Sequence, residues 1–489
     1  MRSGTVVAID QGTTSSRAIR FAADGTVEAS ASVELSQLYP AAGWVEQDPE
    51  RLWQSVLTTL RSVFDDSVTG IGIANQRETI LLWERSTGRP LGNALVWQDR
   101  RTADLCRALM RDGVEPMVRA KTGLLLDPYF SATKLRWLLD HVDGARGRAE
   151  QGDLAAGTVD SFLLWRLTGG RIHATDVTNA SRTSLFDITR HCWDEDLLAL
   201  FGIPSQILPV VHDNTHLFGG LDKTICGRSV PIAGMAGDQQ AALIGQRCFS
   251  PGLVKSTYGT GCFMLANIGR HPAVSRHRLL TTPAYRIDGV TVYAMEGSNF
   301  IAGAVIKWLR DRMGLIASAE ETASLAASVP RNHGVHLVPA FVGLGAPHWR
   351  TDVRAEIGGL TLDTGPEHIA RAALEAVAYQ SCDLLDAMTA DGIASPHILR
   401  IDGGMSGNDW FAQYLADMTG LTVERPRNYQ STASGAATLA RITLGLEDGL
   451  NPAASPGTGR RFTPDTSGSE PKAGLDRWRR AVRKLLTEA

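Results

Sequence analysis

The segment Asp10-Gln-Gly-Thr-Thr-Ser-Ser-Arg17 has residue types that could hold an anion. A glycine turn followed by hydroxyl side chains presents successive backbone N–H groups and forms an anion-binding concavity. Arg17 adds a fixed positive charge that suits phosphate oxygens, and the Asp10 carboxylate could hold Mg²⁺ through water. We predict that the hydroxyl residues of this turn bind phosphate: Thr13, Thr14 and Ser15. An ordinary hairpin with a polar turn is the alternative.

Two later segments have a similar glycine-rich character. Gly259-Thr-Gly261 separates two predicted strands and could contact phosphates from the opposite side of a cleft. The stretch from Arg400 to Asp409 reads as a strand, a loop containing Gly404 and Asn408, and a helix start, and its glycines would let a flat base lie close to the backbone. Either segment alone could be a plain loop. The chain contains no GxxxxGK[ST] pattern, so any nucleotide is bound in another way.

Charged residues interrupt three apolar stretches. Arg77 offers a planar set of donors and Glu78 an acceptor, a pair that suits the hydroxyls of a small polyol, although a structural ion pair is the alternative. Trp97 lies beside charged residues, which is usual for a solvated helix start. Asp238 follows a glycine at the start of an apolar helix, where it could be an N-cap or a general base for a substrate hydroxyl.

The elements that position these residues follow from the apolar spacing. Val6 to Asp10, Arg17 to Phe21 and Thr26 to Leu35 read as three adjacent antiparallel strands separated by turns. Pro49 to Phe64 has apolar residues on one helical face, and Val68 to Ala74 reads as a buried strand that Thr79 to Trp83 continues. The strand–turn–strand pattern returns around the second glycine turn. It suggests two similar lobes with a boundary near 245–252.

The C-terminal part of the chain contains a polar connection and a helix. Residues 451–472 are rich in Pro, Gly, Ser and Thr, which is typical of a surface connection. The segment after it places Leu475, Trp478, Val482 and Leu485 on one helical face, and we predict that this terminal helix packs on the protein.

Composition limits the class of protein. The chain has 489 residues, 43% of them hydrophobic and 21% charged, with a formal net charge of −3. These values predict a folded, multi-domain protein and give no basic excess for binding nucleic acid over its surface. Six cysteines without a CxxC pair indicate buried thiols rather than a disulfide or zinc framework. We find no signal-peptide pattern or membrane span, so we expect a cytoplasmic protein.

Several segments together resemble the glycerol kinase branch of the FGGY carbohydrate kinase family. The resemblance extends from about Thr5 to Gly449. Its motifs are DQGTTSSR from Asp10, GWVEQDPE from Gly43, IANQRET from Ile73, WQDRRT from Trp97, YFSATKLRWL from Tyr129, DVTNASRT from Asp176, AGDQQAAL from Ala236, STYGTGCFM from Ser256, GGLTLDTGPEHIARAALE from Gly358 and DGGMSGN from Asp402.

The resemblance implies two actin-like, ribonuclease-H-like α/β domains that flank a deep cleft, over residues 1–248 and 249–489. It implies transfer of the γ-phosphoryl group of ATP to glycerol, giving sn-glycerol 3-phosphate in the first step of glycerol catabolism. Asp238 would be the general base, and Mg²⁺ would lie at Asp10. The implied glycerol contacts are Arg77, Glu78, Trp97, Tyr129, Asp238, Gln239 and Phe263. The implied nucleotide and phosphate contacts are Thr13, Thr14, Ser15, Arg17, Thr260, Gly303, Lys307, Gly404 and Asn408.

The resemblance also has limits. Lys307 stands where the family usually has Gln, and Asn299 where it usually has an apolar residue. Residues 220–229 do not reproduce the loop that binds fructose 1,6-bisphosphate in bacterial members, so the resemblance does not carry inhibition by that sugar. A homodimer or homotetramer is expected. The alternatives are a kinase for dihydroxyacetone, erythritol or a pentulose, an ATP-driven scaffold with actin-like lobes, and a catalytically silent relative.

Overall fold

Two large sheets, one in each half of the chain, organise the protein. The computed structural model describes residues 4–394, 396–427, 430–451, 458–465 and 470–488. In the first half, the strands are β1 (Thr5–Gln11), β2 (Ser15–Phe21), β3 (Val27–Glu34), β4 (Glu46–Gln47), β5 (Val68–Asn75), β6 (Ile80–Glu84), β7 (Ala94–Leu95), β8 (Leu154–Thr158), β9 (Ala174–Asp176), β10 (Phe186–Asp187), β11 (Cys192–Trp193), β12 (Val210–His212), β13 (Gly219–Gly220) and β14 (Pro231–Gly237). The helices of this half are α1 (Pro49–Val63), α2 (Ala103–Arg111), α3 (Glu115–Thr122), α4 (Ser131–His141), α5 (Ala145–Glu150), α6 (Val159–Leu167), α7 (Val177–Ala180), α8 (Glu195–Phe201), α9 (Lys223–Cys226) and α10 (Asp238–Gly245).

The second half has fewer and longer elements. Its strands are β15 (Val254–Tyr258), β16 (Cys262–Gly269), β17 (Leu280–Ile287), β18 (Val290–Asn299), β19 (His336–Val338), β20 (Glu356–Gly358), β21 (Ile398–Asp402), β22 (Thr422–Pro426) and β23 (Thr458–Phe462). Its helices are α11 (Gly303–Asp311), α12 (Glu321–Ser328), α13 (Pro366–Ala390), α14 (Asp409–Thr419), α15 (Ser431–Thr443) and α16 (Glu470–Glu488). Short 3₁₀ turns cover Ser205–Ile207 and Gly404–Gly407.

The first sheet has the strand order β13-β14-β5-β1-β2-β3. Strands β1, β2 and β3 are antiparallel neighbours, as the sequence predicts, whereas β5 and β14 run parallel to β1. In this register Asp10 lies beside Ala74, and Ala74 lies beside Ala236. The carboxyl ends of three parallel strands therefore meet at one edge of the sheet.

The second sheet repeats this arrangement, with the order β17-β18-β16-β15-β21-β22-β23. Strand β15 pairs antiparallel with β16 and parallel with β21, and Thr257 lies beside Asp402. The loop of Gly259 and the loop of Gly404 consequently follow adjacent parallel strands. Both halves thus have a row of chemistry-bearing loops at the carboxyl ends of their parallel strands, the usual position for ligands on open α/β sheets.

Helix α15, although late in the chain, packs against the first sheet and α10. Glycines make this close approach possible. A Cβ on Gly435 would lie 1.8 Å from the carbonyl oxygen of Ala241, and a Cβ on Gly72 would lie 2.1 Å from that of Ala436. Any side chain at these two positions would force the backbones apart. The last part of the second half therefore supports the strands that carry Asp10, Arg77 and Asp238.

Two sequence-based predictions need correction. Strand β6 does not continue β5 but belongs to a separate sheet with the order β4-β7-β6-β8, because the residues between them turn the chain out of the first sheet. The polar connection at 451–472 contains β23, which pairs with β22 at the edge of the second sheet and buries Phe462. Residues 452–457 and 466–469 of that connection lie outside the described residues. The terminal helix is confirmed as α16, with Trp478 and Val482 buried.

The cysteines agree in part with the prediction of buried thiols. All six cysteines are free thiols; Cys192 and Cys226 are partly exposed and the other four are buried. No helix within the described ranges is long and apolar enough to cross a membrane.

Candidate active site

The edge of the first sheet brings together three segments that are far apart in sequence. Asp10 lies at the end of β1, Arg77 and Glu78 follow β5, and Asp238 follows β14 as the first residue of α10. Because the three strands are adjacent and parallel, these side chains converge on one region. The sequence predicted each residue separately as a candidate, and the sheet topology places them side by side.

Arg77 is buried, and its guanidinium group makes four hydrogen bonds to three side chains. Its Nη1 and Nη2 atoms donate to the two carboxylate oxygens of Glu296 at 2.6 and 2.9 Å, a bidentate pair that fixes the guanidinium plane. Nη1 also donates to Gln240 at 3.2 Å, and Nη2 to the hydroxyl of Tyr129 at 3.3 Å. The remaining Nε atom lies 3.7 Å from Glu78 Oε1 and 3.5 Å from Asp238 Oδ1. Arg77 is thus rigid, and its Nε faces two carboxylates.

Glu78 is fixed by its backbone and by a second arginine. Its φ of 61° lies in the left-handed region, which is uncommon for a non-glycine residue and is concentrated at functional sites. Arg182 donates from Nε to Glu78 Oε1 at 2.6 Å and from Nη2 to Glu296 Oε1 at 3.0 Å. These contacts hold the Glu78 carboxylate in one orientation.

We name Arg77, Glu78, Arg182 and Glu296 the ion-pair cluster. It contains two guanidinium groups and two carboxylates, all at most 2% exposed. Burial alone would raise the pKa of Glu296, but Arg182 and Arg77 outweigh it and lower that pKa to about 2. Buried charges persist only when they are paired and hydrogen-bonded, and here each carboxylate is matched by a guanidinium. The cluster therefore pairs two guanidinium groups with two carboxyl groups in a region closed to solvent.

Asp238 lies beside this cluster and is more accessible. Its side chain is 27% exposed, and Oδ1 accepts a hydrogen bond from the Gln239 backbone N–H at 2.7 Å. Burial raises the pKa of Asp238, whereas Arg77 and Lys255 oppose that shift and Glu78 adds to it. A carboxylate with a raised pKa and an open face has the properties of a general base.

Aromatic rings form one wall of the region. Trp97 packs edge to face against Tyr129 and Phe263, with ring centroids 5.7 and 5.8 Å apart. The Phe263 ring lies 5.9 Å from the Arg77 guanidinium. The Trp97 Nε1–H donates to Thr13 Oγ1 at 2.9 Å and so connects this wall to the predicted phosphate turn. The sequence alternative for Trp97, a solvated helix start, is wrong, since Trp97 is buried.

Gln239 is held by a buried lysine on the second sheet. Lys255 donates from Nζ to Gln239 Oε1 at 2.6 Å and to Thr257 Oγ1 at 3.0 Å. Burial lowers the pKa of Lys255, and Asp402 and Asp238 counteract this effect. This contact joins the two halves of the chain directly behind Asp238.

Asp10 lies near two other carboxyl groups, those of Asp238 and Asp402. Burial raises its pKa to about 6; Arg17 opposes this, and Asp238 and Asp402 contribute to it. Asp402 is buried, its Oδ2 accepts from Gln246 at 2.9 Å, and its Oδ1 has no hydrogen-bond partner within the described ranges. No group of three or more metal-ligating side chains occurs in the described part of the chain. The donor set fits Mg²⁺, which binds through one or two carboxylates and takes its other ligands from water and phosphates.

The predicted phosphate turn consists of residues 12–14, between β1 and β2, and of Ser15, the first residue of β2. Thr14 is exposed, and the Gly12 N–H donates to the Ser15 carbonyl at 2.9 Å, which closes the turn. Arg17 lies opposite Asp10 in the β1–β2 register and donates to Gln430 from the second half. Thr13 and Ser15 are partly buried, so Thr14 is the residue of this turn that faces the cleft.

A cavity of about 1140 Å³ lies between the loops of the two halves. Its volume is sufficient for a nucleotide, since ligand pockets usually measure about 300 to 1,000 Å³. Most of the lining comes from the second half, and Thr14, Gln37, Tyr39 and Gln98 complete it from the first. Six predicted nucleotide and phosphate contacts line it: Thr14, Thr260, Gly303, Lys307, Gly404 and Asn408. Thr13, Ser15 and Arg17 do not line this cavity.

The lining residues combine structural and binding properties. Asn408 is the N-cap of α14, because its Oδ1 accepts from the Phe411 N–H at 3.0 Å. Gly303 begins α11, and a Cβ there would lie 2.7 Å from the Gly259 carbonyl oxygen. A Cβ on Gly404 would meet no atom within 4 Å, so this glycine opens the cavity. Lys307 is exposed, whereas Asn299 is buried with no partner for its Nδ2 in the described part of the chain.

Sequence reasoning missed the residues that hold the site together. Glu296 and Arg182 come from segments more than 100 residues from their partners, and Lys255 lies 16 residues from Gln239. None of the three has a local pattern that marks it as functional. Arg182 lies within the DVTNASRT motif, which the sequence analysis identified without giving its residues a role. A buried-charge argument could have selected Arg182 and Glu296 only after the strand pairing was known.

Solved structures with this fold come from several kinases. A Plasmodium falciparum glycerol kinase crystallised with ADP is 34% identical, covers 99% of this chain and 98% of its own, and superposes with a TM-score of 0.90. A xylulose kinase from Lactobacillus acidophilus has a TM-score of 0.86 at 21% identity, with 99% of this chain and 98% of its own covered. At that identity the second comparison shows the fold alone, two actin-like α/β domains.

Sequence comparisons are more specific. The glycerol kinase of Rhodospirillum centenum is 57% identical over 99% of this chain and 98% of its own length. The glycerol kinase of Gluconobacter oxydans is 55% identical over 99% of this chain and 95% of its own length. The N-terminal domain of the FGGY family of carbohydrate kinases matches residues 5–245, and the C-terminal domain matches residues 254–444. The chain therefore belongs to the FGGY family of carbohydrate kinases.

Proposed function

We propose that this kinase phosphorylates glycerol with ATP and forms sn-glycerol 3-phosphate and ADP. The observation that carries the proposal is the position of Asp238, which faces the Nε atom of Arg77 at 3.5 Å beside Glu78. An accessible carboxylate next to a fixed donor and a fixed acceptor matches a small molecule with several hydroxyls. The relatives named glycerol kinase, at 55 and 57% identity, support the same acceptor.

The ion-pair cluster would select the acceptor. Arg182 occupies Oε1 of Glu78, which leaves Oε2 for a substrate hydroxyl, and Arg77 Nε can donate to another. Trp97, Tyr129 and Phe263 would pack against the carbon skeleton, and Gln239 would contact a hydroxyl from the α10 side. A site with fixed polar groups rejects an analogue that lacks a hydroxyl, because its buried donor or acceptor is then unpaired.

The nucleotide would occupy the 1140 Å³ cavity, with its phosphates directed towards the turn of Thr13, Thr14 and Ser15. Thr260, Gly303, Lys307, Gly404 and Asn408 would contact it from the second half. Asp10 would hold Mg²⁺ together with phosphate oxygens, and Arg17 would add positive charge. The metal ion supplies charge neutralisation of the phosphates during transfer.

Asp238 would accept the proton of the attacking hydroxyl. Transfer breaks the bond between the γ-phosphorus and the bridging oxygen and forms a bond from the γ-phosphorus to the glycerol oxygen, with the proton on Asp238. Phosphoryl transfer depends mainly on in-line positioning and charge stabilisation, so the protein needs little covalent chemistry. Closing the two halves around both substrates would exclude water, which competes with the acceptor hydroxyl.

Glycerol-dependent release of ADP tests the proposal. Purified protein with ATP and Mg²⁺ is assayed with glycerol, dihydroxyacetone, erythritol and xylulose at matched concentrations. We expect the highest kcat/KM with glycerol and little ADP release without an acceptor. A higher kcat/KM with one of the other three acceptors would replace glycerol as the substrate, and acceptor-independent release would support an ATP-driven scaffold.

A further inference from the structure

The DVTNASRT motif, Asp176 to Thr183, forms a buried, hydrogen-bonded segment next to the candidate active site. Asp176 ends β9 and caps α7, and the motif contributes Thr178, Asn179 and Arg182 to the interior. Asp176, Thr178 and Asn179 are fully buried. Buried polar side chains need a reason to be present, since each costs free energy unless it is fully hydrogen-bonded.

The Asp176 carboxylate organises this segment by accepting several hydrogen bonds. Oδ1 accepts from the backbone N–H of Thr178 at 2.7 Å, from the Thr178 hydroxyl, and from Asn214 Nδ2 at 2.9 Å. Oδ2 accepts from Asn179 Nδ2 at 2.7 Å. Because a carboxylate only accepts hydrogen bonds, the Thr178 hydroxyl must donate to it. The lone pairs of Thr178 Oγ1 are then free to accept another hydrogen bond.

That second hydrogen bond comes from the residue before Asp238. The backbone N–H of Gly237 donates to Thr178 Oγ1 at 2.9 Å. On its other side Gly237 touches Arg77, since a Cβ at this position would lie 2.7 Å from Arg77 Cγ. The Gly237 peptide is therefore fixed between the Thr178 hydroxyl and the Arg77 side chain. This peptide sets the direction in which α10 begins and Asp238 projects.

We propose that Thr178, oriented by Asp176, is a positioning residue for Asp238. The proposal rests on the proposed function, in which Asp238 accepts the proton of the acceptor hydroxyl. Proton transfer requires heavy atoms within hydrogen-bond reach, and a misplacement of about 1 Å can cost about 100-fold in rate. The same segment also contacts Asn75, which precedes Gln76 and Arg77, because Asn179 and Asn75 exchange two hydrogen bonds of 2.9 Å.

Thr178→Val tests the proposal, since valine keeps the shape of the side chain but cannot accept a hydrogen bond. We expect kcat with glycerol to fall by about 10- to 100-fold while the KM for ATP stays within about twofold. Thr178→Ser keeps the hydroxyl and should restore kcat to within about threefold of the parent. Hydrogen exchange of the peptide containing Gly237 should be faster in Thr178→Val than in Thr178→Ser.

Thr59→Val is the matched control. Thr59 is equally buried, and among the residues that the structure describes its hydroxyl bonds only to carbonyls of its own helix, Ser55 and Val56 at 3.0 and 3.1 Å. It therefore reports the general cost of losing a buried hydroxyl, and its kcat should stay close to that of the parent. Equal kcat values for Thr178→Val and Thr59→Val would overturn the proposal. If Thr178→Val does not fold, Thr178→Ala and Thr59→Ala provide the same comparison with the same outcomes.

A further variant separates this inference from the proposed function. If Asp238→Asn keeps the full kcat, the proposed role of Asp238 is wrong, and the role of Thr178 is wrong with it. If Asp238→Asn is inactive while Thr178→Val matches Thr59→Val, only the inference about Thr178 is wrong.

Discussion

The two sides of the cleft use the same strand geometry with different side chains. At the end of the first sheet, the ion-pair cluster buries two guanidinium groups and two carboxylates against one another. At the end of the second sheet, the loops carry glycines and hydroxyls around a cavity of about 1140 Å³. The first region is rigid before any ligand arrives, whereas the second presents backbone and open space.

The difference fits the two ligands that we propose. A triol is small and neutral, so its recognition needs donors and acceptors in fixed positions, which the paired charges provide. A nucleotide is large and anionic, so it needs room, backbone N–H groups and few side chains that would obstruct it. The comparison predicts that substitutions in the first region affect folding and acceptor binding together, whereas those in the second affect nucleotide binding alone.

Glu296→Gln should have the largest effect on stability. Removing one charge of a buried, hydrogen-bonded pair leaves the guanidinium groups of Arg77 and Arg182 partly uncompensated, which costs about 3 to 5 kcal/mol. The control is Glu28→Gln, which removes an exposed pair with Arg20 worth about 0 to 1 kcal/mol. Denaturant unfolding measures both variants. Equal losses would show that the cluster is not the rigid region that we describe.

Gly404→Leu should weaken nucleotide binding without weakening the fold. A Cβ here would meet no atom within 4 Å, and Gly404 lines the cavity. We expect the KM for ATP to rise about tenfold, equivalent to about 1.4 kcal/mol, with the KM for glycerol unchanged. Gly92→Leu, which also meets no neighbouring atom, is the control for adding an exposed leucine. A rise in the glycerol KM instead would contradict the division between the two regions.

Within the first region, the pH dependence should distinguish Asp10 and Asp238 from the carboxylate of Glu296 in the ion-pair cluster. Asp10 has a pKa raised by burial to about 6, and the pKa of Asp238 is also raised, so kcat/KM should fall as the pH drops below about 6. The free energy of unfolding should not show the same pH dependence as kcat/KM. The lowered pKa of Glu296, about 2, gives stability that is complete above its ordinary value of 4.5 and is lost only towards pH 2.

With rising pH, the contribution of Asp10 to stability changes in the opposite direction to that of Glu296. Its folded-state pKa lies above the ordinary value of 3.8, so the folded protein binds the extra proton between pH 3.8 and about 6. Its contribution to stability therefore decreases as the pH rises through that window. Activity profiles and thermal unfolding from pH 4 to 8 check these expectations. If kcat/KM instead falls only near the ordinary pKa of aspartate, the groups with raised pKa values do not control the activity.

Lys307→Gln should have the smallest effect. Lys307 lines the cavity but is exposed, and an exposed charge contributes at most about 1 kcal/mol to an ionic contact. We expect the KM for ATP to change by less than about fivefold, with the larger value at low ionic strength because salt screens the interaction. A much larger change would indicate a direct, desolvated contact with phosphate.

The sequence predicted the strands and glycine turns because their signals are local. The apolar run before Asp10 and the glycine at 404 need no knowledge of distant residues. The ion-pair cluster required the strand order, because Glu296 lies 219 positions from Arg77. Strand β6 was misassigned for the same reason, since an apolar run does not reveal which sheet it joins.

The candidate site residues divide in the same way. Arg77, Glu78 and Asp238 could be selected from their residue types beside turns and helix starts. Gln239, Phe263 and Gly303 came only from the resemblance to a family. Thr178 and Asp176 belonged to a recognised motif, but their hydrogen bonds to Gly237 and Asn214 depend on three chain segments meeting in the interior.

The kcat of Asp238→Asn with glycerol tests the central claim most directly. Asparagine keeps the shape of the side chain but cannot accept a proton, so we expect kcat to fall by about 10³-fold or more, with the KM for ATP and the thermal unfolding midpoint near those of the parent. Retention of the parent kcat in a coupled assay of ADP release would contradict the claim that this carboxylate accepts the proton of the acceptor.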